Sequence, residues 1–153
     1  MEDRNPRCMK QIDRNLEGRI EDLTKLWELY KTDPETSDEE LGTLYKYGSH
    51  FDYVAPHTFE GQHRGYFRYQ LSFGATSDGF CFFCDENFNT TRIEYWFTDW
   101  FGADRKVLDS SNYDLLSAIW QDFKECGIVK AVYDKAMANC QSRNQSLATG
   151  LLV

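Results

Sequence analysis

A chain of 153 residues with 41% apolar and 27% charged side chains has the size and composition of one globular domain, too apolar for a disordered chain. Its longest apolar stretches, such as Gly79–Cys84, fall far short of the roughly 20 residues a membrane-spanning helix needs. The net charge of −8 lies in the first two thirds, with 12 acids against 8 bases in residues 1–47, 7 against 3 in 48–101 and 6 against 6 thereafter. That balance argues against direct nucleic-acid binding, which draws on clustered cations.

In chain order, Ile12, Leu16, Ile20, Leu23, Trp27 and Tyr30 recur every three or four residues and predict an amphipathic helix over 10–31. Pro34 breaks it. Ser37 with Glu40 three residues on reads as a capping box opening a short second helix through Leu41, Leu44 and Tyr45, with Gly48 as its stop. Sheet patterning follows. Phe51–Val54 is a short strand ended by Pro56. Between Gly65 and Phe73, the residues Phe67, Tyr69, Leu71 and Phe73 alternate with Tyr66, Arg68, Gln70 and Ser72, the period of a strand with one buried face. Gly74–Gly79 has turn chemistry, Phe80–Asp85 is the next strand, and Arg92–Phe97 is the last, with Ile93, Tyr95 and Phe97 on one side. Short connections favour an antiparallel meander.

A third helix carries Leu115, Leu116, Ile119, Trp120 and Phe123, with Ser110 or Ser111 as its N-cap and Gly127 just past its end. A fourth runs from about Val129 to Cys140. The class expected is α+β: an antiparallel meander of three to four strands packed against N-terminal and C-terminal helix pairs. Residues 1–140 form a single domain and 141–153 a flexible C-terminal tail. Helices would cover the Phe67/Tyr69/Leu71 face, leaving Arg68, Gln70, Arg92, Glu94 and Trp96 on the other, either as a binding platform or as a solvated face with cross-strand ion pairs.

The five cysteines, an odd number with no secretory signal ahead of them, fit packing in a reducing compartment, so a cytoplasmic location is expected. Cys81 and Cys84 have CxxC spacing, yet within a strand positions i and i+3 point to opposite faces, so no metal and no cofactor is expected. The run Arg64–Leu71 echoes the aromatic strand of RNA-recognition sheets, but Phe67 stands where a small residue belongs. His50, His57 and His63 show no metal-ligand spacing, and no nucleophile elbow or phosphate loop occurs. Residues 45–101 hold 18 of the chain's 24 aromatic side chains. In Trp96–Phe101 four aromatics in six residues exceed what one core layer can hide, so Trp96 and Trp100 are either partly exposed or covered by a second mini-core under the 103–108 loop.

Tyr47-Gly48, Phe51–Pro56, Thr58-Phe59, Gly65–Ser72, Arg92–Phe97 and Asp99–Phe101 together resemble a family of small acidic bacterial proteins associated with plasmids and other mobile elements. The resemblance covers residues 47–101 and implies a setting in which such proteins inhibit host defence by occupying a nucleic-acid-binding surface. The function expected is therefore a non-catalytic acidic binding protein, of anti-CRISPR or antirestriction type. Its partner would carry a basic surface, such as a nuclease or CRISPR effector. The acidic cluster Glu35, Asp38, Glu39 and Glu40 is one candidate interface, and Arg68, Arg92, Glu94, Trp96 and Trp100 form the second. Two alternatives stand beside it: a small enzyme with a histidine–carboxylate cleft between the sheet and the 99–106 loop, and a homodimer closed by Trp96 and Trp100.

Overall fold

The structure, a computed structural model, describes residues 6–151 and the side chains of 11–141 among them. Helix α1 spans Pro6–Thr32 and buries Ile12, Leu16, Leu23 and Leu26, with Ile20, Trp27 and Tyr30 packed at the margin, as the three-and-four spacing predicts. The predicted capping box does not form. Asp38, not Ser37, organises the connection: its carboxylate accepts the amides of Glu40 and Leu41 at 3.0 Å each, and its backbone pairs with Gly42. An aspartate that bonds its own downstream amides makes a tight turn at the expense of a helix. The second helix, α2, is accordingly confined to Leu44–Tyr47.

Five strands then form one antiparallel sheet in chain order: β1 His50–Val54, β2 Tyr66–Ser72, β3 Ser77–Cys84, β4 Thr90–Asp99 and β5 Gly102–Val107. The α+β class stands, with five strands where three to four were expected. β5 replaces the loop anticipated over 99–106. The strand has no apolar alternation because it lies at the sheet edge with nearly every residue exposed; backbone pairing to β4 and a Lys106–Asp13 ion pair to α1 at 2.6 Å hold it. β3 begins three residues earlier than its pattern shows, at Ser77, which takes Asp78 out of the expected turn and into the core.

Helix α3, Ser110–Glu125, buries Leu116, Ile119, Trp120 and Phe123. Its N-cap is Asp109, so Ser110 and Ser111 both lie inside the helix. Gly127 ends it with φ +88°, a left-handed conformation that favours glycine, and its amide returns to Lys124 O at 3.1 Å. Helix α4, Ile128–Leu151, follows directly. It continues past Cys140, so the expected tail is helical backbone as far as Leu151; residues 152–153, and the side chains from 142 onward, lie outside the described residues. No helix among the described residues is long and apolar enough to cross a membrane.

The helices lie on one face of the sheet, where Phe67, Tyr69, Leu71, Phe80, Phe82, Ile93, Tyr95 and Phe97 form the core with α1 and α3. Trp120, 2% exposed, is its hub: the indole stacks on Phe82 at 4.6 Å and donates Nε1–H to Phe88 O at 2.8 Å. A large ring whose one polar atom is satisfied buries without a desolvation penalty. α4 skirts the β1 edge, where Tyr133 meets Tyr53 edge-on at 4.9 Å. The opposite face carries no helix over its centre.

Candidate functional site

Strand register fixes what that open face displays. One row runs Asp52, Arg68, Cys81, Glu94, Val107 across all five strands, and the next runs Gln70, Gly79, Trp96, Arg105. Arg68 grips Asp52 in a two-pronged pair, Nε to Oδ1 at 3.0 Å and Nη2 to Oδ2 at 2.7 Å. Glu94, only 8% exposed, lies 2.9 Å from Arg92 and 3.7 Å from Arg105. Gly79 is what lets Trp96 lie down on the sheet: a Cβ there would meet Trp96 Cζ2 at 3.0 Å and the Tyr69 carbonyl oxygen at 2.4 Å. Beside it Val54, Tyr66 and Cys81 form a small second core with Phe83 and Trp96.

The 55–65 connection folds across part of this face, and Gln62 holds it there. Its side-chain oxygen accepts the amides of Thr58 and Phe59 at 3.1 Å each, while its nitrogen donates to the carbonyls of Ala55 and Arg64 at 3.0 and 2.9 Å. An amide that meets two donors and two acceptors closes the loop as a short strand pairing would. Between loop and sheet lies a groove of about 620 Å³, whose lining includes Arg64, Arg68 and Arg105 with Tyr66, Phe83 and Trp96. Arg64 lies over the Phe83 ring at 5.6 Å.

Of the residues singled out by sequence, Arg68, Arg92, Glu94 and Trp96 are thus brought together on the open face. Trp100 stands apart in the β4–β5 turn, 83% exposed. Consecutive antiparallel strands put the β2–β3 turn at the same end of the sheet, and there Phe73 is 86% exposed. Glu35, Glu39 and Glu40 are exposed in the connection after α1, in the helix layer and away from the open face. Asp38 serves that connection itself: Lys25 at 2.8 Å and the two amides hold its carboxyl down at about 2.

Tyr66, Phe83, Arg64, Gln62 and Arg105 complete the groove and were not among the sequence candidates. Alternation with buried neighbours could have assigned Tyr66 and Phe83; nothing in the pattern signals Arg105 or Gln62. Cys81 packs in the open-face cluster while Cys84 packs against the main core, and burial pushes both thiols up to about 12. Thiols so rarely ionised are poor nucleophiles and poor metal ligands. The rings of His57 and His63 meet edge-on at 5.8 Å, and His50 lies 3.5 Å from Asp52. Among the described residues no group of three or more His, Cys, Asp or Glu is placed to hold a metal ion. Set beside family models, known proteins and solved structures, the chain matches none at a significant level.

Proposed function

We propose that this chain is a non-catalytic binding protein that docks on a basic surface of a protein partner. The observation that carries the reading is the pair of bare aromatic rings at one end of the sheet, Trp100 and Phe73, on a molecule whose other large rings are mostly shielded. Large rigid aromatics bury much area at little entropic cost and supply a disproportionate share of interface energy. The charge of −8 would steer the encounter toward a cationic partner. A histidine and a carboxylate, His63 and Glu60, do line the groove, but no hydrogen bond joins them, which favours binding over acid–base chemistry.

In its finer form the partner is a cytoplasmic nucleic-acid enzyme, a nuclease or CRISPR effector, whose phosphate-binding channel is met by carboxylates. Exposed Glu35, Glu39 and Glu40 support that form. The test is affinity capture from host lysate with partners identified by mass spectrometry, repeated with Trp100→Ala and with Glu35, Glu39 and Glu40 all replaced by lysine. Loss of a partner with Trp100→Ala, by tenfold or more in affinity, supports docking through the sheet end. A partner retained by both variants at full affinity would overturn the reading.

A further inference from the structure

We propose that the groove on the open face binds a small molecule in which a planar aromatic ring carries a phosphate or carboxylate. This goes beyond the docking reading, which uses the sheet end and the acidic exterior. The volume of about 620 Å³ lies within the range of roughly 300–1,000 Å³ common for small-ligand pockets. Its charge runs against that of the molecule: in a chain of −8, the lining gathers three arginines and a single carboxylate, Glu60.

Two of those guanidinium groups are available. Arg64 has no carboxylate partner among the described residues and lies over Phe83, poised at the groove wall. Arg105 reaches Glu94 only at 3.7 Å, and Glu94 keeps Arg92 at 2.9 Å when Arg105 turns to an incoming anion. Arg68, by contrast, is committed to Asp52 and forms a fixed part of the floor. Guanidinium groups match the planar or tetrahedral oxygens of carboxylate and phosphate, so Arg64 and the loosely held Arg105 set the anionic requirement.

The ring requirement comes from Phe83 and Trp96, which present partly covered aromatic surface between the arginines over the buried Tyr66. A flat ligand ring placed there would gain stacking contact and displace water from apolar surface. The walls are built in advance. Gln62 pins the loop, Asp52 pins Arg68 and Gly79 seats Trp96, so little ordering cost falls on the ligand.

Titration calorimetry on the full chain tests this with adenosine 5′-monophosphate and indole-3-acetate as ring-bearing anions, against adenosine and inorganic phosphate. At least one ring-bearing anion is expected to bind with a dissociation constant below about 1 mM, and at least tenfold more tightly than adenosine or phosphate. Which of the two binds more tightly tells a phosphate ligand from a carboxylate one. Arg64→Ala and Arg105→Ala should each weaken binding about tenfold, and Trp100→Ala should leave it unchanged. Should Arg105→Ala disturb β5, Arg64→Gln on the loop decides alone, with circular dichroism as the check on folding. No binding of either anion, equal binding of inorganic phosphate, or affinity indifferent to Arg64 would overturn the assignment.

Discussion

Asp78 shows how one side chain ties the sheet to the first helix. It is 2% exposed and accepts from Arg19 Nε at 2.7 Å, Arg19 Nη2 at 2.8 Å, the Tyr95 hydroxyl at 2.6 Å and the Ser72 hydroxyl. Burial alone would raise its pKa, but the Arg19 guanidinium and the two hydroxyls outweigh that and hold it below the ordinary 3.8. A carboxyl lowered by folding stabilises the native state above its unfolded pKa and loses that contribution as pH falls through the native one. Urea unfolding should therefore show stability declining below pH 3.8, and the decline should shrink in Arg19→Met. Asp78→Ala strands the Arg19 charge in a largely covered site and should cost about 3 kcal/mol in the same measurement. Gly79→Ala should cost about 1–3 kcal/mol by forcing β2 and β3 apart and lifting Trp96, visible as a shift in its fluorescence. Neither role was legible in the sequence. In a Gly-Ala-Thr-Ser-Asp-Gly run both residues read as turn formers, because local composition says nothing of an arginine on α1 or an indole on β4.

Among the elements, those with a buried stripe were readable and those without were not. The alternation in β2 and β4 and the three-and-four spacing in α1 and α3 locate the core face of each, since burial imposes that period. β5 has no such period, being an edge strand held by its neighbour's backbone, and so the arginine it delivers to the groove was invisible. The α1–α2 connection misled for a different reason: Ser37 and Glu40 fit a capping box, but Asp38 between them takes the Glu40 amide, with that of Leu41, in a tighter turn. The 55–65 loop depends on one amide. Gln62→Ala should release it, speeding hydrogen exchange at Thr58 and Phe59 by tenfold or more while leaving the exchange of β3 unchanged.

At the level of the molecule, helices before and after a run of strands announce the α+β class, and the short connections announce the meander. Which face stays open was legible too, since Arg68, Gln70, Arg92, Glu94 and Trp96 could not share the core. The long-range placement that turns an ion-paired face into an arginine-lined groove was not legible, because it depends on a loop fold and an edge strand. With a charge of −8, copies of the chain repel one another at low salt. Light scattering at low ionic strength should give 18.0 kDa; twice that mass would favour the homodimer closed by Trp96 and Trp100.

The order of the sheet has a consequence for how the chain is made. Each strand pairs with the one just before it, so hairpins can zip one after another as they leave the ribosome. α1 is different: it precedes every strand of the sheet, yet it packs on β4 and β5, which are translated much later. Until residues 90–107 emerge, Ile12, Leu16, Leu23 and Leu26 have no sheet to cover them, and the nascent chain carries a greasy helix that is a natural target for chaperones.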